Sequence, residues 1–293
     1  MPSKPLTFFS GGLELAARLD LPENFDAKKP PLIIMAHGLG AQKDFGLDKF
    51  AINFTQNGMA ALTFDYRYFG ESRGEPRNLV DPWAQLEDWN SALNFAQTLE
   101  EIDTSRMALW GTSFAGGHVL KIASQHPEIK AVVAQVPAVD GLASSLTYSP
   151  LFLLKASSLA LLDYASQIFL NKPLYIPLVG ASDDFAVMNK ADSPEYFKLV
   201  PPDSAWKNQV PARLALMIPL YRPIAAASRI KAPVLIVYGD RDTLIPYKAV
   251  EKTAEKIPRC RKLKLPIGHF EVYDRFFERV IAEEIAFLQE QLA

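Results

Sequence analysis

The stretch Arg106-Met107-Ala108-Leu109-Trp110-Gly111-Thr112-Ser113-Phe114-Ala115-Gly116-Gly117 constrains this chain more than any other. A short apolar strand runs into a tight turn, and the apolar spacing from Gly116 to Ser124 is that of a helix. Ser113 is therefore predicted at a strand-to-helix corner, where the backbone is strained and small neighbours let strand and helix approach. The corner pushes the hydroxyl outward. It also leaves the Phe114 N–H at a helix N-terminus, where unpaired donors and the helix dipole favour developing negative charge. Gly111-Thr112-Ser113-Phe114-Ala115 is G-x-S-x-G with alanine in place of the second glycine, and Gly116 follows at once.

A chain of 293 residues exceeds an ordinary single domain and should bury roughly 75% of its unfolded surface. One large domain with an insertion fits that length. With 49% apolar and 22% charged residues, disorder is not expected. A net charge of −2 offers no electrostatic attraction to nucleic acid or to an anionic membrane. The single cysteine, Cys260, reads as a small packing residue and requires no oxidising compartment. No secretory pattern follows Met1, and no run approaches the roughly 20 apolar residues of a membrane span. A cytoplasmic protein is expected.

Around the corner, strand and helix alternate. Leu6–Phe9 and Leu13–Leu21 read as a hairpin, closed by a Pro- and Lys-rich link from Asp26 to Pro31. The apolar run from Leu32 to Ala36 suits a strand buried on both faces. A helix over 47–57, a strand over 59–64 and a helix from the Asp81-Pro82 cap to about Leu99 follow. Trp83, Leu86, Trp89, Leu93 and Ala96 are expected on one face of that long helix. After the corner come a strand at 131–136 and, from about Lys231, a strand, helix, strand and final helix over 271–291. The pattern argues an α/β fold with a mostly parallel sheet and ligands at the carboxyl ends of its strands. Residues 142–228 break the alternation with Pro-punctuated helical pieces, including 151–162, 164–170, 194–200 and 210–218. They are expected to cap the core formed by 1–141 and 229–293, with aromatic residues such as Tyr148, Phe152, Phe185 and Tyr221 packing the cap or lining a pocket.

A serine hydroxyl needs a base. Of four histidines, His118 lies within the helix after Ser113, His126 at that helix's end, and His37 before the Gly-rich turn His37-Gly38-Leu39-Gly40, where it reads as a brace. Only His269, in Pro266-Ile267-Gly268-His269-Phe270, is both in a strand-end loop and late enough to reach Ser113 across the sheet edge. The loop Gly239-Asp240-Arg241-Asp242 supplies the anionic partner, with Asp242 favoured because it lies deeper than Asp240. The Leu39 N–H is the expected second donor of an anion site with Phe114. No H-E-x-x-H spacing and no G-x-G-x-x-G after a strand occurs, so neither a metal nor a cofactor is expected.

These four separated pieces, in this order, resemble the α/β-hydrolase superfamily over residues 5–141 and 230–292. The stretches His37–Asp44 and Gly111–His118 are similar to its polyketide-transferase-like branch. The resemblance implies Ser113 as nucleophile, Asp242 in G-x-x-D-x-x-x-P as acid, His269 as base, and Leu39 and Phe114 as oxyanion donors. Some relatives carry the acid one strand earlier, where Asp140 stands. It also implies that Asp65–Gly74, similar to that family's Gly-x-Ser-x-Gly loop, is structural. The expected substrate is an apolar ester or thioester of modest size. An acyltransferase using the same residues and a non-catalytic binding protein stay open as alternatives, as does a homodimer.

Overall fold

The computed structural model describes residues 2–23 and 29–293; the predicted link at 26–31 lies partly outside the described residues. Strands β1 (Ser3–Ser10), β2 (Leu13–Asp20), β3 (Pro31–Ala36), β4 (Ala60–Phe64), β5 (Asp103–Thr112), β6 (Ala131–Gln135), β9 (Val234–Gly239) and β10 (Cys260–Leu265) form one sheet. Its order is β1-β2-β4-β3-β5-β6-β9-β10. β2 runs antiparallel to both neighbours, and every pairing from β4 to β10 is parallel. Two further strands, β7 (Tyr175–Ile176) and β8 (Val210–Pro211), pair separately.

β3, β4 and β6 are buried from end to end because helices cover both faces, which is why their sequences are continuous apolar runs. The pleat still sorts their side chains. Leu32, Ile34 and Ala36 enter one core with α2 (Pro82–Ala96), α3 (Phe114–Ala123) and α7 (Tyr247–Lys256). Ile33 and Met35 enter the other, with α1 (Leu47–Gln56) and α8 (Phe277–Leu292).

α2 starts as its sequence demands: the Asp81 carboxylate accepts from Trp83 N and Ala84 N, and Pro82 fills the first turn. Of the apolar row, Trp89, Leu93 and Ala96 are buried. Trp83 is half exposed, while Gln85 and Asp88 are buried. The reason is polar pairing: Asp88 accepts from Arg67 N at 3.1 Å and Nε at 2.8 Å, and Gln85 meets His118. An amphipathic count cannot see such partners.

Between β6 and β9 lie α4 (Gly141–Ser145), α5 (Pro150–Leu170), α6 (Leu214–Met217) and several short three-ten turns. The pieces expected at 151–162 and 164–170 are one continuous helix. Asp163, which marked the break, is buried inside it and accepts from Leu174 N, Arg213 N and the Arg213 guanidinium. Residues 193–199 are three-ten rather than α-helical. The helix expected from 271 begins at Phe277, after a three-ten turn at Glu271–Tyr273. Among the described residues, no helix is long and apolar enough to cross a membrane.

The 65–74 loop is built around a buried carboxylate. Asp65 accepts from Lys43 N and Nζ and from Glu71 N. Ser72 Oγ donates to Asp65 O and accepts from Ala16 N, which ties the loop to β2. Gly70, at φ +50°, lies so close that a Cβ would sit 2.3 Å from Asp65 Oδ2.

On the α1/α8 face, Glu284 is fully buried below the serine corner. One oxygen accepts from Trp110 Nε1 at 2.9 Å, and the other has no partner among the described residues. Burial pushes its carboxyl up to about 8 from an ordinary 4.5. The folded state therefore prefers the protonated form: this stability is complete below pH 4.5 and fades as pH rises toward 8, by at most about 1.4 kcal/mol per pH unit. Glu284→Gln should flatten that decline. Urea midpoints between pH 5 and 8 should fall in the wild type and stay nearly level in the variant.

Candidate active site

The corner at Ser113 takes the strained form its sequence implies. Ser113 has φ 55° and ψ −114°, outside the regions an L-residue prefers. Its backbone is held on two sides, Ser113 N donating to Gln135 O at 2.8 Å and Ser113 O accepting from Ala138 N at 2.8 Å. Gly111 is obligatory here, because a Cβ would lie 2.3 Å from Ala115 O. Gly116 lies close on the loop after β6, where a Cβ would meet Pro137 Cα at 2.9 Å. Position 115 itself needs only a small side chain, and fully buried alanine satisfies that.

The structure brings Ser113, His269 and Asp242 together at the carboxyl ends of β5, β9 and β10. His269 Nε2 lies 3.0 Å from Ser113 Oγ, and His269 Nδ1 lies 2.6 Å from Asp242 Oδ2. A carboxylate beside Nδ1 favours the tautomer in which Nδ1–H donates to Asp242 Oδ2 and Nε2 is the atom that faces the hydroxyl. Asp242 is itself fixed: its Oδ1 accepts from Leu244 N and Ile245 N, both at 2.8 Å. The side chains of His269 and Asp242 are almost fully buried.

Across the serine lies the turn after β3. Gly38 packs so closely that a Cβ would be 3.0 Å from Ser113 Cβ. The backbone N–H groups of Leu39 and Phe114 donate to no protein acceptor among the described residues, and both residues line the cavity that also holds Ser113 and His269. Two side chains missed by sequence reasoning brace this turn: Tyr196 OH donates to Leu39 O at 3.2 Å, and Trp206 Nε1 to Gly40 O at 2.8 Å. Asp192 was also missed, and it accepts from both Thr243 N and His269 N.

The other candidates go elsewhere. Asp140 caps α4 and forms a two-pronged pair with Arg222 at 2.8 and 2.9 Å. Asp240 is exposed at the end of β9. His126 bridges Glu128 and Asn90. His37 is buried with Nδ1 3.0 Å from Gly38 O, and burial holds it down at about 4. His118 sits between Gln85 Oε1 at 3.0 Å and Tyr221 OH at 2.7 Å, held by burial and then by His37 at about 3. Both stay neutral in the physiological range.

The cavity over Ser113 measures about 410 Å³. Its walls are mainly apolar, with Tyr148, Phe152, Phe185 and Met188 from the 142–228 segment facing Leu244 and Ile245 from the core. Among the described residues, no three His, Cys, Asp or Glu side chains gather into a metal-binding cluster.

The profile of the family described as serine aminopeptidase, S33, matches residues 27–277. The chain belongs to this family of α/β hydrolases. It is 41% identical to the quorum-quenching protein AidA of Acinetobacter baumannii, covering 99% of this chain and 96% of that one. It is 28% identical to the polyketide transferase af380 of Aspergillus fumigatus, covering 89% of this chain and 90% of that one. This likeness agrees with the polyketide-transferase-like branch of the superfamily. The crystal structure of the α/β hydrolase GrgF from a Penicillium species shares the fold at TM-score 0.87 and 23% identity, over 100% of this chain and 99% of that one.

For this α/β hydrolase, the close approach at Gly111 yields a direct test. Gly111→Ala should destabilise the protein by about 1–3 kcal/mol, because the added methyl meets backbone and cannot be accommodated by a side-chain rotation. Urea denaturation measures the loss.

Proposed function

We propose that this protein is a serine hydrolase that cleaves neutral carboxylic esters or thioesters of modest size, with Ser113 as nucleophile, His269 as base and Asp242 as acid. The observation that carries this reading is the continuous contact from Asp242 through His269 to Ser113, opening into an apolar cavity. In the first step Ser113 Oγ attacks the carbonyl carbon and its proton passes to His269 Nε2. Asp242 stabilises the imidazolium. The oxyanion takes the free N–H groups of Leu39 and Phe114, where each donor is worth about 10²- to 10³-fold in turnover. Collapse breaks the bond to the alcohol or thiol, which leaves with the proton from His269. Water then attacks the acyl-serine by the same route, releasing the acid and regenerating the hydroxyl.

Residues 142–228 act as the cap and supply most of the cavity's apolar wall, which favours an uncharged acyl or alcohol chain. The name of the A. baumannii relative, a quorum-quenching protein, supports a substrate that takes part in signalling between cells. The polyketide transferase relative supports a second reading, in which an alcohol or amine replaces water as acyl acceptor. Product analysis with a competing alcohol separates the two.

A panel of p-nitrophenyl esters of increasing chain length should show turnover that favours neutral acyl groups, and Ser113→Ala should abolish it. A fluorophosphonate should label the wild type and leave the variant unlabelled. Turnover retained in Ser113→Ala, or a strong preference for highly charged esters, would overturn the proposal.

A further inference from the structure

Three loops meet at the His269 backbone, and two of them carry residues of the proposed triad. The third comes from the 142–228 segment and presents Asp192. Asp192 Oδ2 accepts from Thr243 N at 2.9 Å and from His269 N at 3.1 Å. Asp192 N donates in return to Thr243 Oγ1 at 3.1 Å. The carboxylate presses on Gly268 so closely that a Cβ there would lie 2.9 Å from Oδ1. One oxygen thus joins the residue after Asp242 to the backbone of His269.

Asp192 is held for this task from its own side. It precedes the three-ten turn Ser193–Leu199, and its carbonyl accepts from Glu195 N at 3.1 Å. Next to it, fully buried Ser193 closes a turn by accepting from Lys190 N at 2.8 Å and donating its own N–H to Lys190 O at 2.9 Å. Charge-assisted hydrogen bonds from a carboxylate to backbone N–H groups are stronger than neutral ones, and two on one oxygen fix the distance between the donors.

We propose that Asp192 is a positioning residue that couples the inserted segment to the triad, holding the Asp242 and His269 loops in register so that the imidazole sits between carboxylate and hydroxyl. The coupling rests on the hydrolase reading for its effect on turnover, while its effect on loop geometry is independent of that reading. A displacement of about 1 Å at a reacting group costs about 10²-fold in rate. The segment that shapes the pocket thereby also sets the geometry of the base.

The test uses Asp192→Ala, Asp192→Asn and Thr243→Val in the full chain, with two readouts. The first is ester turnover. Asp192→Ala should lower kcat about 10- to 100-fold with KM within about threefold. Asp192→Asn keeps one oxygen able to accept both N–H groups and should recover to within about threefold of wild type. Thr243→Val removes only the reciprocal contact and should cost about two- to fivefold, which keeps the test decisive if Asp192→Ala does not fold. The second readout is the low-field proton resonance of His269 Nδ1–H, assigned by its loss in His269→Gln. It should shift or broaden in Asp192→Ala and be preserved in Asp192→Asn. If the wild type is active and the variants match it in kcat and resonance, the coupling is wrong and the hydrolase reading stands. If the resonance responds as expected while the wild type cleaves no ester, the hydrolase reading is wrong and the coupling stands.

Discussion

The strained corner at Ser113 is the constraint on which the rest of the site depends. A positive φ at a non-glycine residue costs of order 1–3 kcal/mol and persists only where the surroundings over-determine it. Here they do: hydrogen bonds to Gln135 and Ala138 hold the peptide groups on both sides of Ser113, and Gly111 and Gly116 let α3 close on β5 and on the loop after β6. Relaxing φ would break those bonds or drive α3 away from the sheet. The corner aims Oγ at His269 and leaves the Phe114 N–H unpaired at the start of a ten-residue helix.

Much of this was legible in the chain, for a definite reason. Strands buried on both faces must be apolar throughout, so 32–36 and 131–136 announce themselves. Strand-end loops in a parallel sheet converge on one edge, so a serine, a carboxylate and a histidine placed after separate strands were expected to meet, and the structure brings them within hydrogen-bond distance. The polar contacts between distant segments were not legible. Asp192 is 50 residues before Asp242 and 77 before His269, in a stretch with no periodicity to place it. Nothing in the sequence around Tyr196 and Trp206 ties them to the Leu39 turn, and only the fold turns their polar tips toward it. Asp163 misled for the opposite reason: a charge inside an apolar run reads as a break until its buried Arg213 partner is seen.

The same limit explains why the apolar row of α2 missed two of its buried residues, Gln85 and Asp88. Apolar counting assumes that a helix buries its hydrophobic residues and exposes its charges, and it holds for Trp89, Leu93 and Ala96. It fails at Asp88 and Gln85 because each has a specific partner inside, and a buried polar group that is fully hydrogen-bonded no longer carries the full cost of leaving water. Buried pairs of this kind cluster beside the site: Arg67 with Asp88, Lys43 with Asp65, His118 with Gln85 and Tyr221. They fix the loop after β4 and the helix after the corner.

That distribution of charge bears on how a hydroxyl next to an apolar cavity can be activated. Burial keeps His37 and His118 neutral and pushes the Glu284 carboxyl toward its protonated form, so the groups packed behind the corner contribute dipoles rather than net charge. Asp242 is the carboxylate that contacts His269 side chain to side chain, and Asp192 reaches the same residue only through its backbone N–H. In a region with so few mobile charges, the electrostatic effect of the Asp242 carboxylate on an imidazolium is weakly screened. The placement of the two loops that carry Asp242 and His269 therefore decides how His269 faces Ser113, and Asp192 of the 142–228 segment hydrogen-bonds to both loops.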